Sequence, residues 1–172
     1  MGICASTKDN KSHGSLNPIA WMRANYPVDV IPIGKGHFGN VFKGKSLDGE
    51  TVAVKIISKK KLSEEERAGL ENEARTLECL HHPSVLHIID HSENEEYIVL
   101  VTEYVAGKTL QEVAHMKGRR FSEQKVATIA LQLLQALSYC HEHGVMHRDV
   151  KLDNVIVTPK GSVRLIDFGL AV

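Results

Sequence analysis

The fold is decided by a glycine-rich stretch, residues 34–55, which reads GKGHFGNVFKGKSLDGETVAVK. Its leading glycines have the spacing G-x-G-x-x-G, which two different phosphate-binding folds use and which is a weak signal alone. In a dinucleotide-binding fold such glycines lead into a helix. Here they lead into an alternating run at 41–45, an Asp-Gly turn at 48–49 and a β-branched run at 51–57, which predict a hairpin. Backbone N–H groups without a neighbouring Cβ can approach phosphate oxygens at its start.

Two helices are predicted further along the chain. The first begins at a capping box, in which Ser63 is followed by Glu66 three residues later, and it carries apolar residues at helical spacing. The second covers residues 122–143, has a long apolar stripe and ends at Gly144.

A second hairpin is predicted near the end of the sequence. It follows residues 147–154, which read HRDVKLDN. Short β-branched runs at 155–157 and 163–166 are separated by a Thr-Pro-Lys-Gly turn, which is typical of two paired strands. The second of these strands leads directly into residues 167–169, which read DFG. The hairpin therefore carries an aspartate, Asp167, at its end.

Taken in this order, the glycine loop, the strand ending in VAVK, a helical glutamate, HRDVKLDN and DFG resemble the protein kinase family. The resemblance covers residues 28–172 and implies an α+β fold. Residues 28–105 would form the small lobe, an antiparallel β-sheet plus one helix, and residues 106–172 only the first part of the helical large lobe. The loop that contains Lys151 resembles that of the serine/threonine branch of the family, which has a lysine at this position. The implied activity is phosphoryl transfer from Mg-ATP to a Ser or Thr hydroxyl of a protein substrate.

The resemblance implies an ATP site with Lys55 as its central cation. Lys55 would bind the α- and β-phosphates and pair with Glu73 of the first helix. The strand at 97–105 would end in the hinge that hydrogen-bonds adenine through its backbone. Besides Lys55 and Glu73, the residues implied for nucleotide binding are Ile33, Gly34, Lys35, Gly36, His37, Phe38, Gly39, Val41, Ala53, Thr102, Glu103, Val105 and Ile156.

The resemblance also implies the catalytic and metal-binding residues. Asp149 would accept the proton of the attacking hydroxyl, and Lys151 and Lys55 complete the catalytic set by neutralising phosphate charge. Asn154 and Asp167 would bind magnesium, a hard cation that prefers oxygen ligands. The implied cofactors are therefore ATP and Mg²⁺.

The part of the sequence that resembles kinases stops three residues after DFG, at Val172. The activation segment and the later helices of the large lobe, which would bind the protein substrate, are not in the sequence. Two functions stay open: an N-terminal portion of an active serine/threonine kinase, or a non-catalytic, membrane-tethered nucleotide-binding or interaction module. We expect weak or no phosphotransfer from these 172 residues by themselves, and an exposed apolar stripe on the long helix.

Residues 1–27 precede the resemblance and are predicted to form a flexible tail, because their first part is polar and lacks periodicity. The start, MGICAS, fits N-myristoylation at Gly2, with Ser6 at the required hydroxyl position, and Cys4 is a candidate for palmitoylation. Two acyl chains anchor a protein stably, whereas one binds a membrane only marginally. We expect a cytoplasmic protein that associates with a membrane surface through an acylated N-terminus; an ordinary tail that begins Met-Gly is the alternative.

Composition narrows the function classes. Hydrophobic residues make up 42% of the 172 residues and charged residues 24%, as in globular domains. Lys plus Arg equals Asp plus Glu, at 21 each, so bulk positive charge is absent and we expect no nucleic-acid partner. The 3 cysteines form no CxxC pair and the 10 histidines lack zinc-site spacing, which argues against a disulfide framework and a zinc site. No stretch reaches the roughly 18 consecutive apolar residues of a membrane span.

Overall fold

The computed structural model describes residues 18–35, 39–116, 121–169 and 171. These residues form two compact units. The first unit contains the chain up to Ala68 together with Ile88–Tyr104, and the second contains Gly69–His87 together with the chain from Val105 onwards. The predicted small lobe, residues 28–105, differs from the first unit because the segment Gly69–His87 groups with the second.

The first unit is built on a five-stranded antiparallel sheet with the strand order β1-β2-β3-β5-β4. Its strands are β1 (Val28–Lys35), β2 (Gly39–Lys45), β3 (Thr51–Ser58), β4 (Ile88–Glu93) and β5 (Tyr97–Glu103). Strands β2 and β3 pair without a register shift from Gly39 opposite Ile57 to Lys45 opposite Thr51. At their turn Gly49 has a φ of 82°, a left-handed conformation that glycine adopts without strain. The predicted hairpin is confirmed.

A short helix, α1 (Pro18–Asn25), packs on this sheet. Trp21 is 3% exposed, and with Met22 and Tyr26 it forms one buried cluster with Val52, Val54, Val99 and Val101 of the sheet. The sequence predicted a flexible tail over residues 1–27, but residues 18–26 are ordered, because burial of these large apolar side chains stabilises them. Eight helical residues are too few to show a periodic pattern in the sequence.

Helix α2 (Glu64–Cys79) follows β3. The Oγ of Ser63 accepts a hydrogen bond from the N–H of Glu66 at 3.2 Å, and the Glu66 carboxylate accepts one from the N–H of Ser63 at 2.7 Å. The predicted capping box is thus confirmed, and it satisfies donors that the first helical turn leaves open. Leu70, Ala74 and Leu77 of α2 are buried.

The second unit combines two further helices with a small antiparallel sheet. Its elements are α3 (Leu110–His115), α4 (Glu123–Glu142), β6 (Lys108–Thr109), β7 (Val155–Val157) and β8 (Val163–Leu165). The strands lie in the order β6-β7-β8. The loop that follows α2 joins the outer edge of this sheet, because Val85 forms a parallel bridge with Leu165. Helix α4 and the hairpin of β7 and β8 confirm the prediction, whereas α3 was not predicted.

Helix α4 has one buried and one exposed apolar face. Ile129, Ala136 and Cys140 are buried, while Leu131 and Leu134 are exposed, Leu134 at 63%. Of the predicted stripe, Val126 and Leu134 are exposed while Ile129 is buried, so the stripe is exposed only in part. Within the ranges described above, no helix is long and apolar enough to cross a membrane.

Candidate active site

The second unit brings Asp149, Lys151 and Asn154 together, as predicted. The Nζ of Lys151 lies 2.6 Å from Oδ2 of Asp149, and the side-chain amide of Asn154 donates to the same oxygen at 2.9 Å. The same amide nitrogen also donates to the backbone carbonyl of Asp149 at 2.9 Å. One carboxylate oxygen thus takes both side-chain donors, which fixes the orientation of the carboxylate.

These contacts set the charge state of the pair. The hydrogen bond from Lys151 is the largest cause that lowers the pKa of Asp149 below its usual value, and Asn154 adds to it. The same bond raises the pKa of Lys151. Asp149 is therefore a carboxylate and Lys151 an ammonium at neutral pH.

His147 connects the Asp149 loop to the strand β8. The backbone N–H of Asp149 donates to Nδ1 of His147 at 3.2 Å, so Nε2 carries the ring proton and donates to the carbonyl of Ile166 at 3.0 Å. The ring is 1% exposed, and burial lowers the pKa of His147. Phe168 packs against it edge to face, with ring centroids 4.6 Å apart. A neutral, buried imidazole therefore fixes the position of the chain just before Asp167.

Backbone strain is concentrated in the same region. Arg148 has a φ of 60° and Asp167 a φ of 64°. Residues other than glycine rarely adopt such positive values. Such a conformation costs roughly 1–3 kcal/mol and persists only where the surroundings enforce it, most often at functional sites. The hydrogen bond from the N–H of Ile166 to the carbonyl of Asn154, at 2.9 Å, ties the two segments together.

Asn154 and Asp167 fit the chemistry of a magnesium site. Asn154 is 4% exposed, and because its amide nitrogen faces Asp149, its amide oxygen points the other way. An amide oxygen and a carboxylate are ligands that Mg²⁺ accepts alongside water and phosphate oxygens. Among the residues that the structure describes, no group of three or more His, Cys, Asp or Glu side chains could hold a metal. A magnesium ion here would therefore need further oxygen ligands.

In the first unit, one face of the sheet carries four of the predicted nucleotide-binding residues. Val41 lies opposite Lys55 across β2 and β3, and Ala53 lies opposite Thr102 across β3 and β5. Directly opposed residues share a face, and so do residues two apart in a strand. The intervening Val54 is fully buried in the cluster with α1, so these four residues lie on the face away from it. These four residues combine apolar or small side chains with the lysine at position 55, and Lys43, opposite Ala53, lies on the same face.

The predicted glycine loop is described only in part. Gly36, His37 and Phe38 lie outside the described residues, as does the side chain of Lys35. Ile33 is exposed on β1, and a Cβ on Gly34 would meet nothing within 4 Å. A Cβ on Gly39 would lie 2.2 Å from the carbonyl oxygen of Ile56, so the close approach of β3 requires a glycine there.

The remaining predicted residues are distributed over both units. Glu103 ends β5 in the first unit, opposite Val52. Glu73, which is buried on α2, belongs to the second unit, as do Val105 and Ile156. The predicted pair of Lys55 and Glu73 stays a prediction. The lipidation sites Gly2 and Cys4 lie outside the described residues.

One residue near the site was not singled out from the sequence. The side chain of Gln132, on α4, donates to the carbonyl of Gly161 at 3.0 Å and accepts from the N–H of Val163 at 3.1 Å. The available signal was weak, since α4 carries three glutamines, Gln124, Gln132 and Gln135, and nothing in the sequence distinguishes Gln132 from the other two.

Comparison with known proteins agrees with this geometry. Residues 28–172 match the protein kinase domain family. The chain is 39% identical over 140 residues, or 81% of its length, to serine/threonine-protein kinase 36 of Pongo abelii, of which it covers 10%. Over 169 residues, or 96% of its length, it is 33% identical to a probable serine/threonine-protein kinase of Dictyostelium discoideum, of which it covers 26%.

A plant relative gives the same result. Over 141 residues, or 81% of its length, the chain is 38% identical to CBL-interacting protein kinase 21 of Oryza sativa subsp. japonica, of which it covers 27%. The chain thus spans about a tenth to about a quarter of the length of these relatives. On the match to the domain family and on these identities, the chain belongs to the protein kinase family, on its serine/threonine branch.

Proposed function

We propose that the protein transfers the γ-phosphoryl group of Mg-ATP to a serine or threonine hydroxyl of a protein substrate. The observation that carries this proposal is the carboxylate of Asp149, whose Oδ2 accepts hydrogen bonds from both Lys151 and Asn154. Within the described residues Oδ1 receives no hydrogen bond, so it is free to receive a substrate hydroxyl. A fixed carboxylate beside a lysine is the arrangement that positions an attacking hydroxyl.

In the proposed reaction, a bond forms between the hydroxyl oxygen and the γ-phosphorus while the bond from that phosphorus to the bridging oxygen breaks. ADP leaves, and the hydroxyl proton moves to Asp149. Because the pKa of Asp149 is lowered, the carboxylate is a weak base, and its main contribution is orientation of the hydroxyl. The ammonium of Lys151 offsets negative charge on the transferring group.

The first unit supports the nucleotide part of the proposal. Val41, Ala53 and Thr102 offer an apolar or small surface for adenine, and Lys55 on the same face offers a cation for the phosphates. Asn154 and Asp167 would hold magnesium, which neutralises phosphate charge when bound. ATP, Mg²⁺ and a protein substrate are thus the proposed partners.

A second candidate function is a nucleotide-binding or interaction module without phosphotransfer. It is favoured by the exposed apolar side chains of α4, among them Leu131 and Leu134, since exposed apolar surface is typical of sites that bind other proteins. A nucleotide-binding module would bind ATP as the kinase does but would not transfer its phosphate, and an interaction module would do neither.

One experiment separates them. Binding of the N-methylanthraniloyl derivative of ATP is measured by fluorescence, and transfer of labelled phosphate to a generic basic protein is measured on the same preparation. The preparation is the protein recovered from its own cells, because we expect weak or no transfer from the 172 residues by themselves. Transfer that Asp149→Asn abolishes and that Asp153→Asn, an exposed neighbour, leaves intact would support the kinase proposal. Binding without transfer would favour the nucleotide-binding module, and absence of binding would contradict the kinase proposal and leave an interaction module.

A further inference from the structure

Gln132 clamps the turn between β7 and β8 to helix α4. Its Nε2 donates to the carbonyl of Gly161 at 3.0 Å, and its Oε1 accepts from the N–H of Val163 at 3.1 Å. Both ends of one side-chain amide thus bind backbone groups two residues apart. The side chain is half-buried, which shields these bonds from competition by water.

The clamped turn is itself well defined. Gly161 has a φ of 87°, and its N–H donates to the carbonyl of Thr158 at 2.9 Å. The N–H of Thr158 donates to the carbonyl of Ser162 at 2.9 Å, and the Oγ1 of Thr158 accepts from the N–H of Ser162 at 3.1 Å. Gln132 therefore holds a rigid turn, and a shift of the turn moves both strands together.

The other end of the hairpin carries the two candidate magnesium ligands. Asn154 directly precedes β7, and Asp167 follows the end of β8 by two residues. The hydrogen bond from the N–H of Ile166 to the carbonyl of Asn154 closes this end. Each strand is only three residues long, so the distance from the clamp to the ligands is about 10 Å.

We propose that Gln132 is a positioning residue for the magnesium pair: by clamping the β7–β8 hairpin to α4, it holds Asn154 and Asp167 in the orientation that binds the metal of Mg-ATP. This inference rests on the proposed function, since it concerns the same metal. Gln132 acts through the backbone of the hairpin and touches neither ligand.

Other contacts limit the expected effect of losing Gln132. Strand β6 still pairs with β7, with Lys108 opposite Val157, and His147 still donates to the carbonyl of Ile166. The hairpin should therefore stay folded but lose orientation. Since each hydrogen bond contributes on the order of 1 kcal/mol, we expect the magnesium requirement to rise about three- to tenfold.

The test is a titration of Mg²⁺ into the 172-residue chain with the N-methylanthraniloyl derivative of ADP, beside the same binding measured in EDTA. Gln132→Ala removes both hydrogen bonds to the turn and a longer one to the carbonyl of Thr128 within α4, and Gln132→Glu keeps the acceptor for Val163 but loses the donor to Gly161. Gln135→Ala, on an exposed position of the same helix, is the matched control. Hydrogen exchange of residues 155–165 without metal gives a second readout.

The proposal is supported if Gln132→Ala raises the Mg²⁺ concentration for half-maximal binding about three- to tenfold, leaves metal-free binding within about twofold, and speeds exchange in the hairpin, with Gln135→Ala unchanged. An unchanged Mg²⁺ requirement overturns it. An equal loss of nucleotide affinity with Mg²⁺ and in EDTA would mean that Gln132 has only a structural role, and it would overturn the proposal too. Should Gln132→Ala not fold, Gln132→Glu decides by the same criteria. Failure of the proposed function shows separately, as absence of nucleotide binding by the unsubstituted chain.

Discussion

Asp149 owes its orientation to residues within the same short loop. Lys151 and Asn154 donate to its Oδ2, and its own N–H donates to His147. Arg148, in the same loop, adopts a left-handed conformation with a φ of 60°. Because all partners lie within residues 147–154, the local sequence is sufficient to orient the carboxylate once the ring of His147 is fixed.

Lys151→Met tests how this carboxylate is controlled. The substitution removes the ammonium but keeps an unbranched side chain, and we expect the pKa of Asp149 to rise, because Lys151 is the largest cause of its depression. The measurement is a ¹³C NMR titration of the carboxyl group. Lys160→Met, on an exposed lysine of the second unit, serves as the control. An Asp149 pKa that does not move would show that Lys151 is not its main partner.

His82 is a second residue whose protonation state is set by its contacts. Its Nδ1 accepts the N–H of Ser84 at 3.1 Å, and its ring lies 5.1 Å from that of Tyr139 between centroids. Burial, and secondarily the charge of Arg164, lower the pKa of His82. A proton on Nδ1 would remove the acceptor, so the folded state favours the neutral ring.

The stability of the chain should therefore depend on pH. Below the ordinary histidine pKa of about 6.5, His82 takes up a proton in the unfolded chain but resists protonation in the folded chain. The contribution of His82 to the free energy of unfolding is therefore complete above that pH and is lost as the pH falls through the lowered pKa of the folded state. In His82→Asn the Oδ1 still accepts from Ser84 but does not titrate. Urea denaturation at several pH values should show that the free energy of unfolding falls less with decreasing pH in this variant than in the unsubstituted chain.

The matched control is His141→Asn, on an exposed histidine of α4. It accounts for the effect of replacing a histidine by asparagine outside the contact between His82 and Ser84. If His82→Asn and His141→Asn behaved alike, His82 would not be a source of the acid sensitivity.

At the scale of elements, α1 shows that a short helix outside the family match is part of a core. Trp21 and Met22 are buried against β3 and β5, and the hydroxyl of Tyr26 donates to Asp90 at 3.1 Å. Burial, with the charge of Asp90, raises the pKa of Tyr26 to about 12. The phenol is therefore protonated at neutral pH and remains a donor.

Trp21→Ala should consequently destabilise the first unit. Truncating a buried tryptophan typically costs about 3–5 kcal/mol of unfolding free energy, and Trp21 is 3% exposed. Urea denaturation followed by circular dichroism measures the change. Arg23→Ala, on the exposed side of the same helix, should cost less than about 0.5 kcal/mol. Equal stability of the Trp21 variant and the unsubstituted chain would mean that α1 does not contribute to the core.

At the scale of the whole molecule, the N-terminal signal remains a prediction. Gly2 and Cys4 lie outside the described residues, and the pattern MGICAS is the whole of the support for acylation. If Gly2 and Cys4 are acylated, the expected consequence is an association of the N-terminus with membranes.

Gly2→Ala should release the protein from membranes, because it removes the site of myristoylation and with it the first anchor. We expect Cys4→Ser to weaken membrane association only in part, since one acyl chain binds marginally. Fractionation of cells that express each variant, with intact mass measured on the unsubstituted protein, checks both. A mass without an acyl chain, or an unchanged distribution of Gly2→Ala, would contradict the prediction.

Much of the fold could be predicted because its signals are local. The hairpin turn at Gly49, the capping box at Ser63 and the end of α4 at Gly144 each depend on a few adjacent residues, and each is confirmed. Strand β4 and helix α3 were not predicted from the sequence. Helix α3 begins at a second capping box, from Thr109 to Glu112, which was present in the sequence but precedes only six helical residues.

By itself, the sequence determined most of the elements, the membership of the kinase family and the residue types around Asp149, since these follow from local patterns and motif spacing. The tertiary structure alone decided that α1 completes a core, that Gly39 is required by the approach of β3, and that Gln132 holds the β7–β8 turn. The physical reason is common to all three. Each depends on a contact between residues about 15 to 80 positions apart in the chain, which burial and hydrogen bonding select only after folding.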